Sequence, residues 1–149
     1  MRLVVQRVDK TSVSVNGQVI SAIGKGLLVL LGVEKGDTRE DADYLVEKVI
    51  NLRIFEDREG KMNISLVDTG GGLMIISQFT LLGDCRKGRR PSFTGAEDPG
   101  RAREHYSYFI QKASEKIEDV QGGEFQAMMK VELVNDGPVT MLLDSRKQF

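Results

Sequence analysis

Apolar residues fall along this chain in three patterns, and each predicts a different kind of element. Residues 2–8 alternate loosely and are rich in Val, and Thr11-Ser12-Val13-Ser14-Val15 alternates polar and apolar residues. Both predict half-buried strands. Asn16-Gly17 follows, a pair suited to the positive φ angles of a tight hairpin turn, so residues 18–23 should return as the partner strand. Residues 27–33 and 73–76 are apolar without a break, which predicts strands covered on both faces. The helical pattern appears twice. Ala42, Leu45, Val46, Val49 and Ile50 follow a capping Asp37 or Thr38 and predict a helix that ends near Arg53. Asp98-Pro99 opens a second helix, with Tyr106, Phe109, Ile110, Ala113 and Ile117 as its buried stripe.

The remaining segments are short. Ile54-Phe55 and residues 63–67 predict strands around a turn at 57–60, and residues 129–134 and 139–143 predict two closing strands. Gly70-Gly71-Gly72 and Gly122-Gly123 break the chain, and the polar tail at 145–149 is expected to fray. Residues 83–98 show no apolar period, and a loop of that length in a compact chain is usually functional or mobile.

Composition narrows the function classes. With 149 residues the chain is one ordinary domain, 1–149. Its 21 basic and 22 acidic side chains nearly cancel, so any nucleic-acid contact must come from a local patch. A single cysteine excludes an internal disulfide and suits a reducing cytosol. One cysteine and one histidine do not supply the usual structural zinc sets, and neither metal nor cofactor is expected. There is no 18-residue apolar run and no signal-like N-terminus, so the expected location is cytoplasmic, away from membranes.

The chemistry concentrates in three places. The strand at 73–76 delivers Ser77, Gln78, Phe79 and Thr80 to its mouth, and Arg86, Lys87, Arg89 and Arg90 follow in the loop. Ser77 or Thr80 as a nucleophile needs a base to take its proton. The lone histidine, His105, lies inside the second helix, where a surface imidazole is the ordinary reading. Cys85 next to Arg86 and Lys87 is placed to favour a thiolate but has no evident base. The basic loop is either a solvated surface or a phosphate-binding patch. The third place is Asn135-Asp136-Gly137-Pro138-Val139-Thr140. There Gly-Pro is either a plain turn or a segment whose X-Pro bond is cis. Phe125 and Met129 suit core packing or the walls of an apolar pocket.

Taken together, Ser77-Gln78-Phe79-Thr80-Leu81, the loop Arg86-Lys87-Gly88-Arg89-Arg90-Pro91-Ser92-Phe93-Thr94-Gly95 and the 135–140 segment resemble the D-aminoacyl-tRNA deacylases. Val5-Gln6-Arg7-Val8 and residues 28–43 share the resemblance, which spans residues 1 to about 144. It implies an α+β fold of layered, mostly antiparallel or mixed, barrel-like sheets, with two main helices packed on one side. It implies a cytosolic homodimer whose partner is tRNA, rather than DNA or a membrane. The implied activity is hydrolysis of the ester between a D-amino acid, or mischarged glycine, and the 3′-terminal adenosine. In this reading Ser77, Gln78, Phe79 and Thr80 form the catalytic corner, while Phe125 and Met129 line the pocket. Gly137-Pro138 would be cis and reach into the neighbouring subunit's site to block L-amino acids, with Arg7 supporting it. Arg86, Lys87, Arg89 and Arg90 would meet the tRNA. Two positions depart from the family pattern: Gln126 stands where a small residue is common, and Cys85 where threonine is frequent. The competing readings are a thiol or threonine esterase using Cys85 or Thr80, and a non-catalytic RNA-binding module using the basic loop.

Overall fold

The structure is a computed structural model that describes residues 1–148. One long strand organises it. β1 (Arg2–Val15) runs through both predicted N-terminal segments without a break and passes the hairpin turn into β2 (Gln18–Ile23). The two halves of β1 have different neighbours. Arg2 to Val8 pair antiparallel with β3 (Gly26–Gly32), and Thr11 to Val15 pair with β2. Alternation fails at Arg7 and Val8, which are both buried, and the register with the last strand shifts on either side of Val8. Such irregularities let a strand bend while staying paired, and the lost alternation looks like an interruption in the sequence.

α1 (Arg39–Asn51) follows β3, with Thr38 as its cap and the Asp41 carboxylate accepting the Thr38 N–H at 2.8 Å. Asp37, the other candidate cap, is buried instead and receives the Met1 ammonium at 2.8 Å. β4 (Phe55–Glu56) and β5 (Met62–Ile64) form a small hairpin. The strand expected through 67 stops early, because Ser65 and Asp68 cap a single helical turn, α2 (Leu66–Thr69). The Asp68 N–H donates to Ser65 Oγ, and Gly70 at φ +64° ends the turn.

β6 (Gly72–Ser77) lies parallel to β3, and β7 (Val120–Gly122) lies parallel to β6. The two glycines expected only to break the chain after 121 therefore begin within a strand. β3 and β6 approach closely at their first residues, where a Cβ on Gly26 would lie 1.9 Å from the Gly72 carbonyl oxygen. α3 (Pro99–Ser114) packs beside α1. β8 (Met129–Asp144) is one strand where two were expected, and it pairs with β1 along nearly its whole length. The sheet order is β2-β1-β3-β6-β7 with β8 on the other edge of β1. β2 also reaches β7, where Ser21 Oγ donates to the Gly122 carbonyl at 2.9 Å, so the mixed sheet is nearly closed into a barrel.

The unbroken apolar runs now have a physical reason. Leu27, Val29, Leu31, Leu73 and Ile75 face a core shared with α1 and α3, while Leu28, Met74 and Ile76 face a second core inside the barrel with Val8 and Val13. The tail expected to fray is tied down as far as it is described. Ser145 Oγ accepts from the Met1 ammonium, and Arg146 donates to the Lys35 carbonyl and to Asp37. Phe149 lies outside the described residues. Among the described residues, no helix is long and apolar enough to cross a membrane.

Candidate active site

β6 is apolar on both faces until Ser77, where the side chain meets less crowded surroundings. The Gln78 N–H still donates to the Leu31 carbonyl at 2.7 Å, so β3 holds the backbone to that point. The chain then turns. Phe79–Leu82 is a 3₁₀ turn, not the strand mouth that the sequence suggested. The first N–H groups of such a turn have no internal acceptor, and those of Phe79 and Thr80 find none elsewhere among the described residues. The corner thus presents two neighbouring backbone donors. Gln78 Nε2 donates to Thr80 Oγ1, which ties both side chains into one polar unit.

A cavity of about 580 Å³ opens beside this corner. Ile76 to Phe79 supply one part of its lining, and residues 125–129 supply a second. Phe125 and Met129 both line it. They are brought together by a turn in which the Ala127 N–H donates to the Glu124 carbonyl. Gln126 in that turn has φ +66°, the left-handed region that favours glycine. Glycine is therefore the unstrained choice there, and the long side chain is a feature of this sequence. α3 fastens the segment from behind. Tyr106 donates from its hydroxyl to the Ile75 carbonyl at 2.8 Å and accepts the Gly123 N–H at 3.0 Å. Burial pushes its phenol up to about 12, so it stays protonated.

Sequence reasoning missed Glu97, which lines the same cavity just before α3. Its side chain is only 4% exposed and accepts N–H groups from Asp98 at 3.0 Å and Gly36 at 3.4 Å. Those donors, the Asp98 N–H foremost, hold its carboxyl below the usual range. A polar residue before a Pro-initiated helix gives no hint of burial in the sequence.

The other candidates lie apart. The Gly137-Pro138 bond is cis. Val8 pairs with Asn135 and Gln6 with Thr140, so residues 136–139 bulge from β8 opposite Arg7 alone. Arg7 is buried there, donating to the Ile54 carbonyl at 2.6 Å with its Nε 2.9 Å from Asp136. Asn135 Nδ2 bridges the Arg7 and Val139 carbonyls and closes the base of the bulge. Neither Gly137 nor Pro138 lines the cavity of its own chain.

The basic loop is pinned at its root and free at its tip. Asp84 and Ser92 exchange backbone hydrogen bonds, and Phe93 packs edge-on against Phe79 with ring centres 5.1 Å apart. Arg86 is not free. Its guanidinium grips the Asp84 carboxylate at 2.7 and 2.9 Å, which holds that carboxyl far below its ordinary range. Lys87, Arg89 and Arg90 are exposed and make no salt bridge among the described residues. Cys85 is exposed in the same loop, and neither it nor His105 lines the cavity.

A nearly closed mixed-sheet barrel, with two acceptor-free backbone N–H groups at the corner beside a mostly apolar cavity and neither histidine nor cysteine in that cavity's lining, defines a small α+β domain. Comparison with known proteins gives that class a family. The family model described as D-Tyr-tRNA(Tyr) deacylase matches residues 4–144. D-aminoacyl-tRNA deacylases of Syntrophus aciditrophicus (strain SB) and Kosmotoga olearia (strain ATCC BAA-1733 / DSM 21960 / TBF 19.5.1) are 68% and 60% identical, each over the full length of both chains. A solved structure titled c-Myc DNA Unwinding Element Binding Protein superposes with a TM-score of 0.92 at 41% identity, covering 97% of this chain and 98% of that one. A probable eukaryotic D-amino acid tRNA deacylase shares the fold at a TM-score of 0.80 and 18% identity, covering 95% of this chain and 97% of that one. The chain belongs to the D-aminoacyl-tRNA deacylase family and is a hydrolase acting on aminoacyl-tRNA.

Proposed function

We propose that the cavity binds the ester between a D-amino acid and the 3′-terminal adenosine of tRNA, and that backbone groups rather than a side-chain nucleophile drive its hydrolysis. The observation that carries this reading is the pair of acceptor-free N–H groups on Phe79, which lines the cavity, and on Thr80, the next residue, which stands just outside the lining. As water adds to the ester, the carbonyl oxygen becomes an oxyanion, and one aligned donor contributes about 3 kcal/mol to holding it. The Gln78 amide orients the ester or ribose, and Ser77 and Thr80 complete the polar corner. With no histidine or thiol in the cavity lining, the vicinal 2′-hydroxyl of the terminal ribose takes part in proton transfer, a group that RNA alone supplies. The free cations of Lys87, Arg89 and Arg90 face the tRNA backbone; Arg86 contributes through the shape of the loop, its charge being spent on Asp84.

Selectivity arises from a wall. D and L esters differ by exchanging hydrogen and side chain at one carbon, and a backbone wall rejects every L side chain whatever its chemistry. Glycine has nothing to clash and passes. Gly137-Pro138 is that wall, supported by Arg7 and supplied by a second copy in a cytoplasmic homodimer, because the segment is absent from the cavity lining of its own chain.

The deciding experiment follows ester loss from matched D- and L-aminoacyl-tRNA, glycyl-tRNA and a D-aminoacyl-tRNA ending in 2′-deoxyadenosine. D and glycyl esters should be cleaved, L esters spared and the deoxy substrate slowed by orders of magnitude. Normal turnover of the deoxy substrate, or loss of activity on replacing Cys85 by Ser, overturns the mechanism. Tight tRNA binding without ester loss identifies an RNA-binding module instead.

A further inference from the structure

Most arginines in this molecule are already engaged. Arg86 grips Asp84, Arg101 lies near Glu97, Arg7 sits between Asp136 and Glu56, Arg2 and Arg146 join acidic side chains, and Arg53 bonds Asn63. Arg39 stacks over the Tyr108 ring at 4.9 Å, away from the cavity, whereas Arg103 on α3 is stacked beside it. Arg103 makes no salt bridge among the described residues, yet it is held in place. Its guanidinium stacks 5.1 Å from the centre of the Phe125 ring, and its Nη2 donates to Gln126 Oε1 at 3.3 Å. Phe125, Gln126 and its helix neighbour Ala102 all line the cavity. A cation without a salt bridge is therefore held beside a mostly apolar cavity, on the lining residues Phe125 and Gln126, with most of its donors unused.

We propose that Arg103 binds a phosphodiester of the substrate's 3′ end, the one that links the terminal nucleoside in the cavity to the rest of the RNA. Guanidinium forks suit phosphate oxygens, and a guanidinium already stacked and tethered has less freedom to lose on binding than a free surface lysine. Gln126 is the positioning residue. Its left-handed backbone turns the long side chain out to Arg103, which is what the departure from a small residue achieves here. The inference rests on the deacylase reading above, since it needs the terminal nucleoside to occupy this cavity.

The test compares D-aminoacyl-tRNA with the 3′-O-D-aminoacyl ester of adenosine, which lacks the phosphate. Arg103→Ala should raise KM for the tRNA roughly tenfold, as expected for a charged hydrogen bond, with kcat within about twofold. The penalty should vanish with the adenosine ester and return when a 5′-phosphate is added to it. The dependence of log KM on log salt should fall by about 0.7 for one lost phosphate contact to a single strand. Arg103→Lys should recover part of the loss, having the charge without the fork. Gln126→Gly fits the left-handed backbone and keeps the fold, and should raise KM for tRNA roughly threefold by untethering Arg103. Equal KM shifts on ester and tRNA would mean Arg103 merely braces the wall, and an unchanged tRNA KM would remove the contact altogether. Direct binding of uncharged tRNA to wild type and R103A reads the same contact without hydrolysis. A tenfold loss there upholds it even should the deacylase reading fail, and equal affinities overturn it.

Discussion

Glu97 is a carboxylate nearly closed off from solvent at the edge of an apolar cavity, and its environment favours the charged form. The N–H groups of Asp98 and Gly36 donate to it, and Arg101 lies 3.9 Å away. Its pKa in the folded chain lies below the ordinary value of 4.5. A depressed carboxylate pKa contributes stability that is fully present above the unfolded value and is lost as pH falls through the folded one. Glu97→Gln keeps an acceptor for the Asp98 N–H but cannot ionise. Wild type should therefore be the more stable protein above pH 4.5, and its advantage should shrink as the solution is acidified through the folded pKa. Urea melts of both proteins across that range measure the difference. A gap that stays constant in acid would show that the carboxylate's charge contributes nothing.

At the scale of elements, α3 works as a clamp on the cavity wall. Its Tyr106 hydroxyl joins β6 to the segment after β7 through the Ile75 carbonyl and both backbone groups of Gly123. Tyr106→Phe keeps the ring that packs 5.8 Å from Phe125 but removes the hydroxyl bridge; the Gly123 N–H still donates to the Ile75 carbonyl at 3.2 Å, so the cost is about 1 kcal/mol, that of a lost net hydrogen bond. The loosened 123–126 segment should also raise KM for D-aminoacyl-tRNA, roughly severalfold by the same loss. Chemical denaturation and steady-state kinetics read the two effects, and a stable variant with ordinary KM would refute the clamp. The helix itself was legible: Asp98-Pro99 marked its start, and Tyr106 and Phe109 belonged to a clear buried stripe. So were the doubly covered strands β3 and β6, whose unbroken apolar runs record two cores. What the sequence could not carry was long-range geometry. Joining residues 2–15 into one bent strand depends on bulges paired with β8, and the continuity of β8 across Gly137-Pro138 depends on Arg7, 130 positions away. The corner at Ser77–Thr80 reads in the sequence as the open mouth of the 73–76 strand, because no glycine or proline within it marks the 3₁₀ turn. The free N–H groups that matter appear only once the chain has turned. Arg103 escaped notice because its significance lies in lacking a carboxylate partner, and a sequence does not display partners.

At the scale of the molecule, the cavity and the proposed wall are different parts of β8. Met129 lines the cavity at its first residue, and Gly137 follows eight residues later, roughly 20 Å or more along a strand even with the bulge. β8 pairs only with β1, and Leu133, Val134 and Leu142 on it are exposed large apolar residues. A two-fold pairing of copies would cover that surface and carry each bulge to the other cavity. Complementation tests this directly. Phe79→Pro removes one proposed oxyanion donor at a turn position that tolerates proline. Gly137→Ala displaces the wall, because its Cβ would lie 2.8 Å from Val139 Cγ2 and 3.0 Å from Arg7 Nη2, at φ +115°. The first variant should lose hydrolysis, and the second should lose selective hydrolysis. After equal mixing and exchange of subunits, half the dimers pair one of each, and one site in each of these joins an intact corner to an intact wall. D-selective activity should then reappear at about a quarter of the wild-type rate. If the wall instead serves the cavity of its own chain, no mixed site is whole, and the mixture shows only the average of its two components.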